Sequence, residues 1–219
     1  MPKETFFNLP DDKRQMIEEI AIDEFANWGF DNASINRIVE VCQIAKGSFY
    51  QYFEDKKDLY KYLISKIAAE KINFINPVLL NPTSVDFFTL MGAMYQSGLE
   101  FGKANPKAAI LGNQLIKNKD HPVHKEIFEE SKGTAEDFFR PLLQLAISKG
   151  EINPNIDLEF VSFILVALNI ASFEYYYEVI KGKEFDIHQM DDMMNTINLF
   201  LDFIKNGIGT HEQGENQND

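Results

Sequence analysis

SINRIVEVCQIAKGSFYQYFEDKKDLYKYL, residues 34–63, sets two short helical patterns around one tight turn. Ile35, Ile38 and Val39 give the first helix an apolar inner face. Ser34 stands where a hydroxyl can cap its first amides. Cys42, Gln43 and Ile44 make the turn, with Ile44 as its apolar anchor. Phe49 and Phe53, four residues apart, bury one side of the second helix. That leaves Ala45, Lys46, Gly47, Ser48 and Tyr50 toward the other side and the N-terminal end. Two short one-sided helices joined this way predict a helix-turn-helix. In such a motif the start of the second helix enters the DNA major groove. Small residues there let the backbone approach the bases, while lysines and tyrosine hydroxyls hold phosphates and fix position.

Charge supports this placement. The 219 residues carry 21 Lys plus Arg against 34 Asp plus Glu, a net of −13. Such a chain cannot coat nucleic acid with its whole surface. Residues 45–71 nevertheless hold six basic and four acidic side chains, while residues 4–40 hold three and nine. The single relatively basic stretch therefore coincides with the second helix of the motif and the start of the next.

Upstream, Ile17, Ile20, Ala21, Phe25 and Trp28 form one stripe of a helix that Gly29 ends as a C′ glycine. Downstream, a fourth helix from Lys56 carries Tyr60, Ile64, Ala68, Ile72 and Ile75 on one face. Asn76-Pro77 and Asn81-Pro82 are turn signals and mark a boundary. Beyond it lie helical patterns over 84–104, 106–117, 122–149, 157–181 and 187–206, with Pro141 placed to kink or split the third. The expected class is all-α: a helix-turn-helix domain over 1–55, a connecting helix over 56–76, a helical domain over 77–208, and a polar, disordered tail over 209–219.

Other chemistry is excluded or set aside. One cysteine, Cys42, allows no intrachain disulfide and reads as a small core residue. The start MPKETFFNLPDDKRQ lacks the apolar stretch of a secretory leader. The uncharged run 160–173 is short for a membrane span and reads as a buried core helix, so the expected location is cytoplasmic. His121 and His124 lack the further ligands of a metal site and read as surface histidines at a helix start. GxSxG, HExxH, P-loop and GxGxxG motifs are absent, so no catalytic residue, cofactor or metal is assigned.

The stretch also resembles the DNA-binding domain of the TetR family of transcriptional regulators. The resemblance covers 17–63 and rests on Phe25…Gly29-Phe30, Ser34, Ile38-Val39, the turn Cys42-Gln43-Ile44-Ala45, Gly47-Ser48-Phe49-Tyr50, Tyr52-Phe53 and Lys56, with Leu59 behind. Gln43 stands where the family has glycine and Ala45 where it has serine. The turn thus needs a positive φ from a non-glycine residue, and the second helix lacks its side-chain cap. The residues assigned to DNA are Ser34, Asn36, Arg37, Ala45, Lys46, Gly47, Ser48, Tyr50, Tyr52 and Lys56. Lys56 is the phosphate-contacting lysine that the resemblance implies.

The resemblance further implies a homodimer through the last two helices, with Leu165 and Leu199 as interface positions, and a small hydrophobic effector. Phe87, Met91, Met94, Tyr95, Phe138, Phe163, Glu174 and Tyr177 are the effector-site candidates, Glu174 as an anion for a cationic lipophile. The function expected is a repressor released from a palindromic operator. The alternatives are an activator or ligand-independent regulator, and less strongly a helical protein-interaction module or an enzyme.

Overall fold

Gly29 adopts φ 66°, and the helix that began at Asp11 turns sharply there before finishing at Asn32. Few side chains tolerate that backbone, so a glycine placed after Trp28 fixes where the chain bends. The computed structural model describes residues 1–79, 82–180 and 192–209, side chains excepted at 76, 78, 132, 134–136, 177 and 180. The expected start of the last helix at Ile187 and the tail over 210–219 lie outside the described residues.

The described elements are α1 (Glu4–Phe7), α2 (Asp11–Asn32), α3 (Ile35–Val41), α4 (Lys46–Tyr52), α5 (Lys56–Leu79), α6 (Phe87–Ala104), α7 (Pro106–Lys117), α8 (Pro122–Ser148), α9 (Leu158–Tyr175) and α10 (Met193–Ile208). A π-helical turn, Tyr176–Ile180, extends α9. Among the described residues no strand forms, apart from one bridge between Ile152 and Gly209.

Several expectations are corrected. α1 went unforeseen, yet its Phe6 is fully buried, with its ring centroid 4.7 Å from that of Phe53. α5 continues through Pro77 to Leu79 instead of stopping at the turn signal. Proline forfeits one backbone hydrogen bond, and the surrounding helix tolerates that loss. Pro141 likewise lies within a continuous α8, so it does not split that helix. Trp28 is 53% exposed, because the stripe of α2 that faces the core ends at Phe25 and Ala26.

The chain forms two compact units. Residues 1–75 join 98–129 in one; 76–97, 130–180 and 192–209 belong to the other. This differs from a simple cut after residue 76. The reason is α7, which packs on α2: Leu111 is fully buried in the shared core, and the Gln114 amide donates to the Ala26 carbonyl at 3.0 Å.

In the second unit, α10 packs on α9, and Phe200 meets Tyr95 edge-on at 5.8 Å. Asp86 caps α6, accepting from the Thr89 hydroxyl and from the Phe88 and Thr89 amides. Burial alone would raise its pKa, but those bonds, with Lys205 nearby, hold it below the usual carboxylate value.

Candidate nucleic-acid interface

Glu24 organises the corner where α2 meets α3. This carboxylate is 8% exposed. Its Oε1 accepts from the Ser34 amide at 2.7 Å and from Arg37 Nε at 2.9 Å. Arg37 Nη2 adds bonds to Glu24 and to the Asn32 carbonyl, and the guanidinium lies 4.8 Å over the Trp28 ring. The hydrogen bond to Glu24 raises the Arg37 pKa further. Ser34 caps α3, its hydroxyl accepting from the Arg37 amide at 3.5 Å.

The turn follows from α3. Cys42 continues the helical bonding through its amide to the Ile38 carbonyl, Gln43 takes φ 52°, and the Ile44 amide returns to the Val39 carbonyl at 3.0 Å. Gln43 carries the left-handed backbone that the missing glycine left to it, a conformation unusual for a non-glycine residue. Cys42 is 3% exposed, and burial pushes its thiol up to about 11.

α4 then presents two opposed faces. Phe49 is 1% exposed and Phe53 is fully buried, fixing the inner face. Ala45, Lys46, Gly47 and Tyr50 are exposed and Ser48 is half-buried on the outer one. Ala45 provides no side-chain cap, so the first amides of α4 lack a side-chain acceptor. A side-chain carbon added to Gly47 would meet nothing within 4 Å. Among the described residues nothing therefore requires glycine there, although glycine weakens a helix by about 1 kcal/mol relative to alanine. Asn36 is exposed on α3.

Three assigned residues turn out to be engaged within the chain. Arg37 is tied to Glu24 and is a brace between α2 and α3 rather than an uncommitted cation. Tyr52 is 8% exposed, its ring packed against Phe6 at 6.0 Å. Lys56 Nζ donates to the Asp31 and Ala33 carbonyls at 2.9 and 3.1 Å, 4.8 Å over the Phe30 ring. An ammonium has three donors, so one remains. Two contributors went unforeseen in the sequence. Glu24 looked like one acid among many on α2. Lys3, at the chain start, donates through Nζ to the Tyr50 carbonyl at 2.8 Å and so ties the N-terminus to α4.

His124 corrects the reading of surface histidines. It is 4% exposed; its Nε2 pairs with the Tyr60 hydroxyl at 3.1 Å and its Nδ1 with the Asn118 carbonyl at 2.9 Å. Burial pulls its pKa below the ordinary histidine value. His121 is less buried and meets Asp31 at 3.2 Å.

The effector candidates scatter over the second unit. Phe87, Met91 and Met94 are buried in its core. The Tyr95 hydroxyl accepts from the Asn169 amide at 2.6 Å. Phe138 and Glu174 are half-buried, Phe163 is 41% exposed, and the Tyr177 side chain lies outside the described set. Leu165, expected at an interface, is 1% exposed and belongs to the core, whereas Leu199 is 65% exposed. The run 160–173, read as a buried core helix, is apolar on an open face as well: Phe160 is 61% and Phe163 41% exposed. By length and composition alone α9 could cross a membrane. Its Asn169 is bonded to Tyr95, and its Ser162 and Ser172 hydroxyls bond back to the helix, so these three polar side chains are satisfied within the fold.

Comparison with known proteins identifies similar sequences and folds. The family model for bacterial regulatory proteins of the tetR family matches residues 13–63. An HTH-type transcriptional regulator of Staphylococcus aureus (strain USA300) is 44% identical over 55 residues, 25% of this chain. That match spans 30% of the relative's length. The crystal structure of a TetR family transcriptional regulator from Chloroflexus aurantiacus J-10-FL is 30% identical, covers 96% of this chain and 100% of that one, and superposes with TM-score 0.65. The regulator FadR from Bacillus subtilis, solved in complex with stearoyl-CoA, shares the fold at 16% identity, with 85% and 97% covered and TM-score 0.64.

Proposed function

The chain belongs to the TetR family of DNA-binding transcriptional regulators, which are not enzymes, and from that premise we propose that it is a homodimeric repressor released from a palindromic operator by a small hydrophobic effector. The observation that carries the DNA reading is the outer face of α4. Gly47 is open to its surroundings, with Lys46 and Tyr50 exposed beside it. A glycine that the fold does not need allows the helix backbone to approach a base edge closely. Lys46, Tyr50 and the third donor of Lys56 supply phosphate contacts, which set register and not sequence.

Dimerisation draws support from α9 and α10. Phe160, Leu199 and Phe203 are 61%, 65% and 68% exposed. Large apolar side chains concentrated on two helices mark an association surface, and a two-fold pair of such surfaces reads a two-fold operator. The effector is lipophilic on this reading because the second unit is rich in Phe, Met and Tyr. The place of action is the cytoplasm.

Selection of duplexes from a randomised pool tests the reading. The enriched sequence should be a near-palindrome with half-sites about one helical turn or a multiple apart. Enrichment of no motif, or binding without salt dependence, would refute it.

A further inference from the structure

α4 spans 7 residues, far fewer than a helix needs to hold its shape alone in water. Phe49 seats its inner face in the core, but its ends need partners of their own, because the last carbonyls of a helix find no amide within it. Consecutive carbonyls at its C-terminal end meet donors from the start of the chain. The Tyr50 carbonyl accepts from Lys3 Nζ at 2.8 Å, the Gln51 carbonyl from the Thr5 hydroxyl, and the Tyr52 carbonyl from the Lys3 amide at 2.8 Å. The Lys3 ammonium also brings positive charge to the end of α4 where the helix dipole favours it. The opposite end, at Ala45, has no side-chain cap.

These donors stand on a fixed base. Phe6, next to Thr5 in α1, is fully buried, its ring centroid 4.7 Å from that of Phe53 and 5.5 Å from that of Tyr62 on α5. Pro2 is buried as well. Lys3 and Thr5 themselves are exposed, so they contribute bonds to α4 rather than buried area. The match to the family model begins at residue 13, so this segment lies ahead of it.

We propose that Lys3 and Thr5 are positioning residues for operator recognition: they strap the C-terminal end of α4 so that its uncapped N-terminal end meets base edges at a fixed angle. The proposal rests on the DNA reading of α4 given above. The strapped end and the reading end close the same short helix, so a tilt allowed at one moves the other. Base contacts require placement to within about 0.5 Å, whereas binding to DNA in general is electrostatic and tolerates a tilt. Loosening the strap therefore lowers preference for the operator and spares affinity for other duplexes.

The test uses the full-length chain with Lys3→Met and Thr5→Val combined, which removes both side-chain donors and leaves the Lys3 amide and Phe6 in place. Hydrogen exchange of the free protein should show the amides of residues 50–53 losing protection on the order of 10-fold, the range for one or two lost hydrogen bonds, while α2 and α5 keep the parent's values. Fluorescence anisotropy then compares the duplex enriched from the randomised pool with a scrambled duplex of the same composition. Preference for the first should fall on the order of 10-fold, with scrambled-duplex affinity and salt slope kept. Lys3→Arg with Thr5→Ser, which retains both donors, should restore protection and preference. Parent-like protection of α4, protection lost equally over α2, α4 and α5, an unchanged preference, or no restoration by the conservative pair would overturn the proposal. A salt slope lower by about 0.9 per protomer would make Lys3 a phosphate contact itself and overturn its positioning role. A parent without preference between the duplexes refutes the operator reading, and the proposal with it; a parent with preference and an unmoved variant refutes the proposal alone.

Discussion

Lys56→Met separates two roles that the lysine can hold at once. Its ammonium already bonds two carbonyls at the end of α2, and one donor is left for a phosphate. If that donor meets DNA, each protomer loses one phosphate contact. The slope of log affinity against log salt then falls by about 0.9 per protomer, or about 1.8 for a dimer. Between 50 and 200 mM salt the variant should therefore lose about 12-fold less affinity than the parent. The internal bonds set a second quantity. Lys56 is half-exposed, so losing them costs about 1 kcal/mol after allowance for solvent, or roughly 2–4 °C in Tm for a chain of this size. Fluorescence anisotropy on any labelled duplex reads the first, since phosphate contacts are sequence-independent, and differential scanning fluorimetry reads the second. A folded variant with the parent's full salt slope would refute the phosphate contact and leave Lys56 as a clamp on α2 alone.

Gly47→Ala should leave the fold intact or raise stability by up to about 1 kcal/mol, while weakening operator binding at least 10-fold; unchanged affinity would show that no DNA approaches there. Glu24→Ala strips the Ser34 amide and Arg37 of their acceptor and should cost about 2–3 kcal/mol in urea unfolding; a loss under 0.5 kcal/mol would contradict its bracing role. Leu199→Glu should yield a folded monomer by light scattering, whereas Leu165→Glu should unfold the second unit; a dimeric Leu199→Glu would move the interface elsewhere. His124 has a folded pKa below the unfolded value of about 6.5, so it lowers stability as pH falls from there through the folded pKa and has no effect above that window. His124→Gln should flatten that part of the pH–stability curve, and an unchanged curve would refute the buried neutral histidine.

The helix-turn-helix was legible because its determinants are local. Gly29, Ser34, Gln43 and Ala45 act through their own backbone or an amide three residues away, and each behaves as its chemistry dictates. What stayed hidden depends on distant partners. The four residues of α1 are too few to show a period, and Phe6 is recognisable as core only once Phe53 and Tyr62 stand beside it. Arg37 and Lys56 read as cations for DNA because nothing in their spacing announces Glu24 or the carbonyls of Asp31 and Ala33. α9 is apolar all round, so periodicity could not separate Leu165, which faces the core, from Phe160 and Phe163, which do not.

Cys42 gives the chain a built-in clock. It is the single cysteine, it lies in the core at the end of α3, and its thiol is kept protonated near neutral pH. A disulfide reagent can reach it only when α3 lifts away from α2 and α4, so the modification rate counts openings of the DNA-binding domain. Because only the thiolate reacts, a rate proportional to hydroxide would mark labelling slower than reclosing, and a pH-independent rate would report each opening directly. Duplex DNA holding that domain shut would slow the clock without touching the sulfur, which turns one inert side chain into a gauge of occupancy.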